Sequence, residues 1–447
     1  MKKKKTRELA IVHPHACGID VGSKFHAVAT GLGDGDIEKF GVYTEDHEKL
    51  IAHLKEKEVL HIAMESTGSY WQSLFSALQK SGFVVDLVDG RQTKSYKNKT
   101  DFKDARAIYQ LHSLGLLSSC FLPDDLTERI RTFYRYRGQM LEESTRYVNR
   151  MQKSLRLMNF RLDNVVSDIM GKSGQAIIRG ILDGEEDGLE LAKMANSRVK
   201  RSRSEIAAGL MGHREPEHMY VLKDCFEAYH SVHERIKILD EKIRCLVEIA
   251  AEAMPKKTRK KARVQKNQIN IGLENLSYTY YGVDLFAVKS VSFNLVMTLI
   301  SEVGWGIMEF PSSKSFVSWL RIAPNNKISG GKILSSRTPK GKNTLAIAFR
   351  NAANTVAQHK EGYMKAFFSR IAYKKGRAAA ITATARKLAT IVWNMIYYQK
   401  EYTPVSEEEV ERKIKQKVVK NIKHRMKKLG ITLEEITTHS SLSNIHL

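Results

Sequence analysis

Acidic residues all but disappear from one long stretch of this chain: positions 311 to 400 hold a single one, Glu361, against 17 Lys and Arg, a net of +16. Cysteine is scarce as well. The four present, Cys17, Cys120, Cys225 and Cys245, include no pair at metal-ligand spacing, which excludes a disulfide framework and a zinc site and fits a reducing cytoplasm. No run approaches the ~20 apolar residues of a membrane span. The basic run Lys2 to Lys5 is followed by Thr6-Arg7-Glu8 rather than an apolar segment, so it reads as a solvated arm and not as a secretory leader. What is abundant is positive charge. A net of +24, from 73 basic and 49 acidic residues, calls for a polyanionic partner. Residues 1 to 120 contribute only +2 of it, with 17 basic against 15 acidic side chains, so nucleic acid is expected to be gripped by the C-terminal half. With 447 residues, 42% of them hydrophobic, two or three domains with sizeable cores are expected.

The balanced N-terminal region reads as α/β. Gly18-Ile19-Asp20-Val21-Gly22 is a strand turning at glycine, followed by a second strand from Phe25 to Thr30. Val59 to Met64 is a further apolar run ending at Glu65, a strand-end position where open α/β sheets bind ligands. Phe83 to Val88 is another buried strand. From Asp101 to Leu117 the apolar spacing is helical, with Asp101 and Asp104 on one face of the first turn. Asp20, Glu65, Asp101 and Asp104 therefore come from three elements and can converge. Each has a structural reading too: the Asp101/Asp104 pair as a helix cap, Asp20 as a turn residue, Glu65 as a helix-entry charge. Clustered carboxylates repel one another, so their convergence makes sense chiefly around a hard divalent cation and points to phosphodiester chemistry.

The middle of the chain is helical. A stripe from Leu126 through Met140 to Met158 is followed by a cleaner three-four series, Leu222, Cys225, Tyr229, Val232, Ile236, Leu239, Ile243, Leu246, Ala250 and Ala253. We read the second as a coiled-coil seam that contacts another subunit; the alternative is an antiparallel pair within one chain. Residues 171 to 216 carry no clear pattern. Pro255 to Asn270, with seven cations and no acid, reads as an extended linker. Beyond it come the apolar segment Leu285 to Val303, Phe316 to Pro324, and a polar loop Asn325 to Lys332. In that loop Ser329 precedes two glycines that permit close backbone approach, and Lys332, Arg337, Lys340 and Lys342 could hold phosphate. A serine beside Gly-Gly is also a common turn.

Taken together, Gly18 to Gly22, Met64-Glu65-Ser66-Thr67-Gly68, Lys99 to Ala105, Ser329-Gly330-Gly331-Lys332 and Lys340-Gly341-Lys342 resemble the DEDD transposases of insertion-sequence family one-ten, the bridge-RNA-guided serine recombinases. The resemblance implies an RNase H-like (RuvC-like) α/β domain at 10–120, a helical coiled-coil region at 121–254, a basic linker at 255–280, a mainly α transposase domain at 281–402 and a charged tail at 403–447. It further implies a bacterial, nucleoid-associated recombinase that moves an insertion sequence between donor and target DNA, guided by a noncoding RNA and working as a homo-oligomer. By the family pattern Asp20, Glu65, Asp101 and Asp104 hold Mg2+ and Ser329 becomes covalently linked to DNA. One departure stands. Relatives carry Leu-Arg soon after the Lys-Gly element, where this chain has Leu345-Ala346 and reaches its next arginine at Arg350. Ser335 and Ser336 are weaker candidates for the nucleophile.

Three other readings compete with this one. An actin-like sugar kinase would be near neutral and would repeat the Gly-Ile-Asp-Val-Gly hairpin. A non-catalytic RNA-binding protein would account for the charge but not for the ordered acids. A junction nuclease using water would need the four acids and leave Ser329 dispensable.

Overall fold

The computed structural model describes residues 10–66, 68–93, 100–259, 265–404 and 407–430. The basic leader, Thr67, the Lys99 end of the helix motif, residues 260–264 of the basic run and the end of the tail lie outside them. The chain divides into two compact units, Met1–Leu122 and Pro123–Leu447.

The first unit contains β1 (Ala16–Val21), β2 (His26–Ala29), β3 (Ile37–Phe40), α1 (Thr44–Glu56), β4 (His61–Glu65), α2 (Trp71–Lys80), β5 (Val84–Val88), α3 (Gly90–Thr93) and α4 (Asp101–Ser113). Its five-stranded sheet has the order β3-β2-β1-β4-β5. β1, β2 and β3 form an antiparallel meander, while β4 runs parallel to β1 and β5 parallel to β4. The central strands β1, β2 and β4 are buried on both faces, but by different means. Cys17, Ile19, Ile62, Met64 and Leu87 pack with Leu50, Leu54, Leu74 and Leu78 of α1 and α2. The other face is built from small residues, with Ala27 and Ala29 against Ala105 and with Ala63 beside Ile108. Gly18 lies here too. A β-carbon on it would sit 2.2 Å from Tyr109 N and 2.5 Å from the Ala105 carbonyl, so only glycine lets α4 lie this close to β1. This mixed sheet fits an RNase H-like transposase domain. β3, four residues long and half-exposed at both ends, has no strand signal in the sequence strong enough to announce it.

The second unit is mostly helical. α5 (Asp125–Leu157) and α10 (Pro216–Ala251) run antiparallel along one another, with Arg137 paired to Asp240 and Ser144 hydrogen-bonded to His233 at 2.9 Å. Between them α6 (Leu162–Val165), α7 (Lys172–Leu182), α8 (Gly188–Lys193) and α9 (Arg203–Gly209) form a small cap whose core includes Met151 and Leu155 of α5 and Leu222 and Cys225 of α10. These short helices occupy the stretch in which the sequence carries no clear pattern.

The α10 stripe departs from expectation in its partner. Leu222, Val232, Ile236, Leu239 and Ile243 are buried inside this one chain, Val232, Ile236 and Leu239 around Met140 of α5. The antiparallel intrachain pair therefore covers the seam, and the stripe gives no argument for a second subunit.

At the opposite end of this arm, Arg135 binds Glu302 in a two-pronged pair, at 3.0 and 2.8 Å, and Arg131 donates to the carbonyls of Ser301 and Glu302. They tie the arm to α11 (Leu273–Tyr281), α12 (Phe293–Glu302), α13 (Ser313–Trp319), a hairpin of β6 (Lys327–Ser329) and β7 (Lys332–Ser335), α14 (Thr344–Val356), α15 (Tyr363–Lys375) and α16 (Arg377–Tyr398). The stretch read as a basic linker holds α11 and the buried Ile269, so it is partly core. α17 (Glu407–Leu429) falls in the charged tail. Among the described residues no helix is long and apolar enough to cross a membrane.

Candidate functional site

Asp20 and Glu65 stand side by side. β1 and β4 are in parallel register with Ile19 opposite Met64, and one step further along both strands come Asp20 and Glu65. Side chains alternate along a strand, so Asp20 shares the face of Gly18 and Glu65 that of Ala63, both toward α4. α4 packs on β1 through Ala105 and Tyr109, which brings its first turn, with Asp101 and Asp104, to the same end of the sheet as the two strand acids.

The helix cap is not made by those acids. Thr100 is the N-cap, its hydroxyl accepting from the backbone N–H of Lys103 at 3.3 Å. Asp101 is exposed; Asp20, Glu65 and Asp104 are half-buried.

Glu65 is held from two sides. Thr93 Oγ1 donates to its Oε2 at 2.9 Å, and its carboxylate lies where a β-carbon on Gly90 would be, 2.3 Å from Oε1. Gln92 anchors this wall by exchanging two 2.9 Å hydrogen bonds with the backbone of Ser118. Asp89, whose carboxylate holds Arg91, follows Val88, the residue paired with Glu65 across the sheet, and so adds a fifth acid at this edge. Sequence reasoning missed Asp89, Gly90 and Thr93, although an acid and a glycine directly after the apolar run Phe83 to Val88 mark the same kind of strand end as Glu65.

The donor set is all carboxylate oxygen, the kind that magnesium and calcium prefer, and it lies at one corner of the sheet. The side chains as they stand do not close on a common point: among the described residues no group of three or more His, Cys, Asp or Glu is gathered tightly enough to hold a metal ion. In kind and in backbone placement the residues fit a hard cation.

Ser329 belongs to the second unit, at the end of β6 and paired with Lys332 across the hairpin. Gly330 and Gly331 between them have φ of 53° and 73°, the two consecutive left-handed residues that a tight type I′ hairpin demands. The loop expected from the sequence is thus a β-hairpin. Its apex is open, since a β-carbon on either glycine would meet nothing within 4 Å, and every residue from Lys327 to Leu334 is exposed. The side chains of its strands are Lys, Ile, Ser and Leu. Lys332, Arg337, Lys340 and Lys342 are exposed. The Arg337 carbonyl accepts from Asn325 N at 3.0 Å, closing the base of the hairpin, and Arg321 donates to the Lys340 carbonyl at 3.1 Å. Ser335 Oγ is engaged by the Arg337 N–H at 3.3 Å.

A DEDD transposase model of the IS110 type matches residues 17–160, and a model described as transposase IS116/IS110/IS902 family matches residues 285–369. The chain belongs to the IS110 family of transposases. The first match spans the sheet with its four acids and all of α5; the second spans α12, the hairpin and α14. No curated protein matches the chain. Family membership makes DNA the substrate and transposition the activity, and DEDD transposases are typically dependent on a divalent metal.

Proposed function

We propose that this transposase cuts and rejoins donor and target DNA through a phosphoserine at Ser329, with Asp20, Glu65, Asp101 and Asp104 holding Mg2+ and a noncoding bridge RNA choosing the sites. The observation that carries the reading is the open apex of the hairpin: a serine hydroxyl beside two left-handed glycines, with room for a DNA backbone and with Lys332 directly across. In the first step the Ser329 Oγ–P bond forms as a P–O bond of the strand breaks, and the departing sugar oxygen ends with the proton that serine gave up. Attack on the phosphoserine by a sugar hydroxyl of the other strand reverses the balance, and no ATP is consumed. Bound Mg2+ supplies charge neutralisation at the phosphate and at the leaving oxygen. Lys332, Arg337, Lys340 and Lys342 hold the phosphate backbone. The domain roles are the RNase H-like acids at 10–120, the helical arm at 121–254 and the nucleophile-bearing region at 281–402. Self-association belongs to the same reading, through a surface other than the α10 stripe.

A substrate nicked near the scissile phosphate should trap a protein-DNA adduct that survives denaturation and maps to Ser329. Ser329→Ala should bind DNA normally and give neither adduct nor recombinant. A water-using nuclease predicts the reverse, with Ser329→Ala still cutting and no adduct from the unaltered protein; an adduct on Ser335 or Ser336 keeps the chemistry and moves the residue.

A further inference from the structure

Beside the hairpin lies a cleft of about 730 Å³ to which neither family match assigns a role. One wall is the strand-like segment after β7, with Arg337 and Thr338; the other is the end of α15 and the first three turns of α16, with Lys375 and Arg386. Its charge is of one sign: three cations line it and no acid does. No ion pair engages Arg337, Lys375 or Arg386 among the described residues.

The floor explains why the cleft exists. Ala378, Ala379, Thr382, Ala383 and Arg386 follow the three-four spacing of one face of α16, so small side chains lower that face until the arginine closes its end. The Thr382 hydroxyl is turned back onto its own helix, donating to the Ala378 carbonyl at 3.1 Å, which leaves the three cations as the main polar partners on offer. Cations of one sign around a small-residue floor suit a phosphate backbone.

We infer that this cleft holds a short run of the DNA backbone, with Arg337, Lys375 and Arg386 each paired to a phosphate. DNA is the ligand because it is the substrate that family membership establishes; the inference rests on that coarser reading and not on the serine chemistry.

The test is the salt dependence of full-length protein binding to a fluorescent 30-base-pair duplex. Lys375→Gln with Arg386→Gln should lower the slope of log K against log salt by about 1.8, at about 0.9 for each phosphate no longer neutralised. Lys57→Gln with Lys80→Gln, which removes the same amount of exposed charge from the first unit, should leave it unchanged. Lys375→Arg with Arg386→Lys should keep the original slope. If the double Gln variant melts early, Lys375→Gln alone should give a drop of about 0.9. A slope like that of the first-unit control overturns the inference, as does a weakening confined to structured RNA of equal length with DNA binding intact. Failure of the serine reading looks different: no adduct from the unaltered protein, with the slope difference still present.

Discussion

The first unit and the hairpin-bearing part of the second handle charge in opposite ways. Residues 1 to 120 are nearly balanced and set their four candidate acids at one corner of a sheet, whereas residues 311 to 400 carry 17 cations to one acid and expose a hairpin that is open on every side. A carboxylate corner crowded by lysines would be neutralised by them and would bind a cation poorly. A surface that must grip a polyanion cannot tolerate many carboxylates. Keeping the two in separate regions lets each have the electrostatics it needs.

The largest effect is expected at the acids. Asp20→Asn or Asp104→Asn should reduce DNA cleavage to background while DNA affinity and helical content stay as they were, because a ligand is removed without emptying a core. Full cleavage by either variant in the presence of magnesium would remove the acids from the chemistry.

Acid should then destabilise the first unit. Burial, with the neighbouring charge of His47, pushes the His26 imidazole down to about 4, and burial does the same to His112, reinforced by His13 and His61 and opposed by Asp86. Both side chains are at most 3% exposed. The unfolded chain takes up these protons near pH 6.5 and the folded one does not, so stability is complete above pH 6.5 and is lost as pH falls toward 4. The loss is on the order of 3 kcal/mol for each histidine. Denaturant midpoints followed by first-unit tryptophan Trp71 should fall across that window; a flat profile would mean that neither imidazole is held neutral.

Gly18→Ala tests the close approach of α4 to β1. The added methyl meets backbone rather than a mobile side chain, and overpacking of that kind costs about 1–3 kcal/mol or more. Urea denaturation should report it, with cleavage falling in parallel because α4 carries Asp101 and Asp104. Wild-type stability would show that the helix can step back without harm.

The smallest expected change concerns the hairpin itself. Lys327→Gln or Lys332→Gln should each lower the salt slope of DNA binding by about 0.9. If both leave it untouched, the hairpin meets DNA without touching phosphates, and the cationic character of residues 311 to 400 is exercised elsewhere.

Much of the first unit was legible before the structure. β1, β2, β4, β5 and α4 follow from apolar runs and glycine punctuation, and the strand-end place of Glu65 follows from where its run stops. β3 was not, because a four-residue edge strand buries too little to leave a pattern. The α10 stripe said that a helix hides one face and could not say behind what, since a sister chain and α5 offer the same apolar surface. Gly330-Gly331 announced a turn, but Ile328, Ile333 and Leu334 point into solvent, so the alternation that marks a strand with one buried face is missing there. The roles of Thr93, Gly90 and Asp89 around Glu65 depend on a sheet register that no local motif encodes.

The antiparallel arm fixes a length. At 1.5 Å per residue, the 33 residues of α5 extend about 50 Å, of which about 30 Å separates Arg135 at the Glu302 pairing from Leu155 in the core of the short-helix cap. A duplex completes a turn in about 34 Å, so grips made at those two points would be a little under one turn apart and would meet nearly the same face of a straight double helix. For DNA held at both points the arm would be a ruler whose length becomes a rotational phase. Seven residues added to each of its two helices would move the cap by about 10 Å and turn its footing on the duplex through nearly a third of a revolution.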